Sequence, residues 1–99
     1  MAVGMLLDVP GGSQEAYDAL TEKMFGSLQP TAMPEGLILH TAGPLLEGAW
    51  RIFDIWESED AFWGFFDAVL LPAARDLDQG EFQARPEFFP VHNMIGISR

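Results

Sequence analysis

The chain has 99 residues, 48% hydrophobic and 12% aromatic, and its 15 acidic residues face 5 basic ones for a formal net charge of −10. That balance argues against a phosphate-tracking nucleic-acid binder, which needs clustered Lys and Arg, and against binding to an anionic membrane surface. With no cysteine in the chain, disulfides, iron–sulfur clusters and cysteine-based zinc sites are excluded too. No apolar run reaches the ~18 residues of a membrane span and no signal-like segment is visible, so a cytoplasmic location is expected. The length suits one domain over 1–99.

Ala2–Val9 reads as a strand, ended by Pro10-Gly11-Gly12. Ser13 is a candidate N-cap, with Glu15 and Asp18 at the positive end of a helix. Tyr17, Leu20, Met24 and Leu28 follow at spacings of three and four, one apolar stripe on a helix ending near Leu28. Gly26 and Pro30 support that stop. Gly36–Gly43 and Ala49–Glu57 are strand-like and are joined by five residues, Pro44 to Gly48, a hairpin length. Ser58 caps a second helix on which Ala61, Phe62, Phe65, Phe66, Val69 and Leu70 form the strongest periodic signal in the chain. Pro72 stops or kinks that helix, or opens a short further segment. Asp78–Arg85 reads as a polar loop and Phe88–Ile97 as the last strand.

Strand, helix, strand, strand, helix, strand is the ferredoxin-like split βαβ order, an α+β fold with a four-stranded antiparallel sheet. Pro90 suits a last strand at an edge, where a missing N–H is tolerated. The strands do not alternate cleanly between apolar and polar. Trp50, Ile52 and Trp56 share one parity of the third strand, and Phe53 and Ile55 share the other. Two helices cover one face. The other face calls for a second copy of the sheet, so a homodimer is expected.

The run Phe53-Asp54-Ile55-Trp56-Glu57-Ser58-Glu59-Asp60-Ala61-Phe62 is similar to an acidic-x-Trp-x-Ser-x-x-Ala signature. With the element order, it makes the chain resemble the dimeric α+β-barrel superfamily, especially its antibiotic-biosynthesis-monooxygenase-like branch. The resemblance implies pairing as a dimeric α+β barrel. It leaves activity open, because the superfamily spans oxygenases, haem degraders, isomerases and cyclases, and a shared fold does not transfer a function. Many members carry a His nine residues after the Trp. This chain has Phe65 there, which removes the polar or haem-ligating role of that position.

Few groups are available for chemistry: the chain has two histidines, one tyrosine and one asparagine. Two isolated histidines make no metal site of the usual spacing, and no cofactor motif is present. Asp54 shares a strand face with Trp50, Ile52 and Trp56. A carboxylate among indoles loses hydration, which favours its neutral form unless a partner stabilises the charge. Such a group can act as a general base or hold a ligand; it can equally cap the next helix or pair with an Arg. Arg51 is the nearest cation in sequence, but parity places it on the opposite face.

A hairpin loop of five residues pairs Gly43 with Ala49, which sets His40 opposite Ile52 and diagonal to Asp54. A His–Asp pair beside tryptophans is an acid–base unit; the plainer reading is a satisfied sheet histidine. A one-residue slip would put His40 opposite Arg51 instead. His92 and Asn93, on opposite faces of the last strand, are candidates to donate to an oxyanion or orient a ligand, or else to satisfy a dimer seam. Trp50, Trp56, Phe62 and Phe66 are core residues by period and candidate walls of an aromatic pocket. The expected function is a cofactor-independent enzyme acting on an aromatic or polycyclic apolar molecule, by monooxygenation or proton-transfer rearrangement. The alternative is a non-catalytic dimeric module that binds an apolar ligand.

Overall fold

The computed structural model describes residues 1–46, 48–79 and 85–96. Strand β1 spans Val3–Pro10, helix α1 Gln14–Phe25, strands β2 and β3 Leu37–Pro44 and Ala49–Trp56, helix α2 Glu59–Phe65, helix α3 Leu71–Asp76 and strand β4 Glu87–Pro90. The four strands lie in the order β2-β3-β1-β4, and every neighbouring pair is antiparallel. This is the ferredoxin-like order expected from the sequence, with β4 and its Pro90 on an edge.

Both helices of the split βαβ start where their caps place them. Ser13 accepts from the Ala16 N–H at 3.1 Å, and Ser58 accepts from the Ala61 N–H at 3.1 Å; each satisfies one of the free donors of a first turn. Helix α1 ends three residues before the expected Leu28. Gly26 takes the left-handed conformation at φ 73° and donates to the Glu22 carbonyl, which closes the helix there.

The helical path after α2 runs through Pro72 rather than stopping at it. Proline has no N–H and crowds the carbonyl four residues back. The chain meets this with a widened π-helical stretch over Phe66–Leu70, across which the Leu71 N–H reaches the Phe66 carbonyl. Pro72 then sits in the first turn of α3, where a missing donor costs nothing.

The turn of the hairpin is centred one residue later than expected. Gly43 lies opposite Arg51, and Pro44 opposite Trp50. The shift is two residues, so every side chain keeps its expected face, and His40 moves from a diagonal position to one directly opposite Asp54. Between Leu37 and Leu39 the register slips by one, with Ile38 as the extra residue. That bulge keeps Leu37 on the face of Trp56 while Leu39 pairs with Ile55.

Val3, Met5, Leu7, Val9, Ile52, Trp56 and Phe88 pack with Phe62 and its helical neighbours into the core. Met5 and Trp56 are its most enclosed large side chains, and Trp56 meets Phe62 edge-on at 5.7 Å, a geometry worth about 0.5–1.5 kcal/mol beyond burial. On the helix-free face the Phe53 and Phe89 rings stack at 6.2 Å. Ile55 is buried, Leu6 and Phe53 are half-buried, and Phe89 is 44% exposed.

The last strand is shorter than expected. Ladder pairing ends at Pro90 opposite Val3, followed by one bond from the Val91 N–H to the Ala2 carbonyl at 2.9 Å. The partner strand begins at Val3, and the expected continuation over residues 91–96 is not strand; Ile97 and most of the expected polar loop lie outside the described residues.

Gly36 precedes β2 at φ 88°, and a Cβ there would lie 2.6 Å from that of Ala61. Its carbonyl accepts from the Glu57 N–H at 2.7 Å, which ties the start of β2 to the turn into α2. Gly36→Ala combines backbone strain with a clash between two short side chains, so a loss of about 1–3 kcal/mol is expected. Thermal unfolding checks it, with a melting point lowered by roughly 4–8 °C per kcal/mol for a chain of this size; an unchanged melting point would contradict this packing.

Candidate functional site

Strand register places Asp54 under the helices, on the same face as Trp56 and directly opposite His40. Its side chain is 6% exposed, so the carboxylate has lost most of its water and depends on protein donors. Two reach it. The Trp56 indole N–H donates to Oδ2 at 3.1 Å, and His40 Nδ1 lies 2.6 Å from Oδ1. A carboxylate only accepts, so this contact calls for a proton on His40 Nδ1; in the neutral ring that leaves Nε2, on the side away from Asp54, as the acceptor.

Nε2 is hydrogen-bonded to the Tyr17 hydroxyl, which is the donor when the ring is neutral with its proton on Nδ1. Tyr17 lies on α1, one turn after the Ser13 cap, and the two rings are nearly parallel, with centroids 5.9 Å apart. Tyr17 also packs against Trp50 at 5.4 Å. The result is one continuous hydrogen-bonded chain, Tyr17–His40–Asp54–Trp56, which crosses from helix to edge strand to central strand.

Burial pushes the Tyr17 phenol up from its ordinary value; the hydroxyl of Thr21 works the other way, and the negative charges of Asp54 and Asp18 add to the rise. Tyr17 therefore stays a neutral donor through the physiological range.

The polar chain lies on the wall of a cavity of about 560 Å³ between the sheet and α1, with Met5, Leu7, Met24, Phe62 and Phe65 among its lining. A second hollow of about 310 Å³ lies beside it and is lined by Val9, Trp50, Trp63 and Phe66 among others. Tyr17 and Phe62 line both.

The residues singled out from sequence fall into two groups. Asp54, His40, Trp56 and Phe62 meet at the larger cavity, while Trp50 and Phe66 line the smaller one. His92 and Asn93 do not come to the site. They follow the end of β4 and are exposed, because pairing stops at Pro90 and the chain leaves the sheet. Phe65, at the position where a His would stand, packs instead between Trp56 at 5.6 Å and Phe25 at 6.1 Å. Arg51 follows its parity and forms a two-pronged pair with Asp8 at 2.7 and 2.8 Å on the helix-free face. Among the described residues no cluster of three or more potential metal ligands forms.

Tyr17 was missed from sequence, where it reads as the first residue of an apolar helix stripe. The available signal was that it is the one polar member of that stripe and the only tyrosine in the chain.

Because the chain has a single tyrosine, near-ultraviolet titration reads this phenol alone. The tyrosinate band is expected to rise only above the ordinary midpoint of about pH 10. The folded chain holds this proton more tightly than the unfolded one, so the associated stability is intact below about pH 10 and is lost as pH climbs through the folded midpoint. Asp54→Asn removes one negative neighbour and is expected to lower the midpoint without returning it to normal, since burial is the larger cause. A midpoint at the ordinary value in the parent protein would contradict the geometry.

No family model and no curated protein matches the chain. Solved structures do. SnoaB, described as a cofactor-independent oxygenase from Streptomyces nogalater, aligns as a point variant at 14% identity and TM-score 0.63, over 95% of this chain and 96% of that one. Rv0793 from Mycobacterium tuberculosis aligns at 14% identity and TM-score 0.66, over 97% of this chain and all of its own. A Chloroflexus aurantiacus protein, described as a candidate antibiotic biosynthesis monooxygenase, gives 14% and 0.65 over 99% of this chain and all of its own. The chain therefore shares the α+β fold of these proteins along nearly its whole length.

Proposed function

We propose that the chain is a small-molecule enzyme that acts, without a bound cofactor, on an aromatic or polycyclic apolar substrate. The observation that carries this reading is the pairing of the buried Asp54 with His40, whose side chain is 37% exposed, on the wall of an otherwise largely apolar cavity. The likeness in fold to SnoaB and to a candidate monooxygenase supports it by analogy.

His40 is the terminal proton acceptor. Asp54 holds its Nδ1 proton and stabilises the imidazolium that forms, while Trp56 keeps the carboxylate from rotating. Removal of a proton from an activated CH₂ of the substrate leaves a carbanion, and that carbanion reduces dioxygen. The new C–O bond carries a peroxide, the imidazolium returns a proton to it, and loss of water leaves a carbonyl. The apolar walls exclude bulk water from the anion. A proton-transfer rearrangement would use the same base without dioxygen.

A homodimer belongs to the same reading. Phe53, Phe89, Leu6 and Ile55 give the helix-free face an apolar centre flanked by the Asp8–Arg51 pair, a surface that a second copy of the sheet would cover.

Oxygen uptake with dihydroxyaromatic and anthrone-like compounds tests the chemistry. His40→Ala and Asp54→Asn, each confirmed as folded, are expected to lower turnover about 10²–10⁴-fold. Undiminished turnover in both would remove the base; ligand binding with no turnover of any compound would favour the binding module. Sedimentation equilibrium tests the dimer, with a species of twice 11.0 kDa expected and Phe53→Asp expected to release single subunits. A single subunit at micromolar concentration in the parent protein would overturn it.

A further inference from the structure

Both nitrogens of His40 are engaged, Nδ1 with Asp54 and Nε2 with the Tyr17 hydroxyl. Imidazole has no third site for a proton. A proton leaving a molecule in the cavity therefore reaches His40 only by displacing Tyr17 or by passing through it. Displacement leaves a half-buried phenol without its partner, which is unfavourable. Passage costs no such loss, because a hydroxyl accepts through its oxygen while it donates through its hydrogen.

The geometry points to Tyr17 as the residue that touches the substrate: its hydroxyl oxygen takes the substrate proton as its own proton moves to His40 Nε2. This rests on the reading of His40 as a base but adds a residue and a substrate class. The bond from the substrate to its acidic hydrogen breaks and a new O–H bond forms on Tyr17. The former Tyr17 O–H bond breaks and an N–H bond forms on His40. The phenol ends neutral, and the positive charge rests on an imidazolium beside Asp54. Tyr17 and His40 both line the larger hollow, so the Tyr17–His40 contact lies on the wall that a ligand in that hollow would meet. A hydroxyl that must both accept and donate fits a ligand with an acidic O–H, or the C–H of its keto tautomer. The substrate class is thus a phenol or its keto tautomer.

Tyr17→Phe separates a relay from a mere brace. A brace, once removed, frees the Nε2 lone pair, so turnover would hold or rise. A relay, once removed, is expected to cost about 10²-fold or more in kcat with little change in KM. In the parent protein the dependence of kcat on the fraction of deuterium oxide is expected to bow, because two protons move together; a straight line would mean one. A third readout needs no turnover. β-Naphthol bound to the parent protein is expected to show a larger naphtholate fraction in its absorption than β-naphthol bound to Tyr17→Phe, with both proteins folded by circular dichroism. Equal fractions, or undiminished kcat in Tyr17→Phe, would overturn the relay. Ionised β-naphthol that depends on Tyr17, in a protein that turns nothing over, would uphold the relay and reject the oxygenase reading.

Discussion

A carboxylate that has lost its water must be satisfied by the protein around it, and Asp54 is that group. Leaving a charge of this kind unpaired costs several kcal/mol, so the positions of its two donors are constrained together. Trp56 donates from two residues along the same strand, which is possible because side chains two apart share a face. His40 donates from the neighbouring strand, which requires the register that sets the two residues opposite each other. Once the Nδ1 proton is committed to Asp54, the other nitrogen is bare, and the nearest donor in the helical layer, Tyr17, takes it. Each link follows from the one before it.

The sheet holds a second carboxylate pair that makes the point by contrast. Asp8 and Arg51 meet at distances like those of His40 and Asp54, yet both are about half exposed on the helix-free face. Water competes for each of their hydrogen bonds, and pairs of this type contribute little. Arg51 and Asp54 lie on opposite faces of one strand, so neither relieves the other. What distinguishes the Asp54 site is burial beside a cavity, which turns a hydrogen bond into a constraint on the tautomer of a histidine.

Much of the fold was legible because local rules and tertiary packing agree. Ser13 and Ser58 cap their helices, the strand–helix order has few topologies, and Pro90 marks an edge. Asp54 and Trp56 were legible as neighbours on one face because strand parity is strict. The exact pairing of His40 was not, since loop length alone left it two residues off; parity survived and the partner changed. Tyr17 was hidden because its spacing is that of a packing residue and its hydroxyl finds His40 only across tertiary space. His92 and Asn93 were misplaced for a different reason: their strand was taken to run on past Pro90, which already lies opposite Val3, the first residue of its partner strand. The π-helical stretch before Pro72 accommodates its proline by widening a helix instead of ending it.

The tautomer of His40 is the quantity on which the whole account turns, and nitrogen chemical shifts of the two histidine rings report it directly. His92, exposed and away from the site, serves as the internal reference. At neutral pH His40 is expected to carry its proton on Nδ1, with that proton shifted far downfield by Asp54 and the shift lost in Asp54→Asn. A His40 ring protonated on Nε2, or one whose shifts match those of His92, would contradict it.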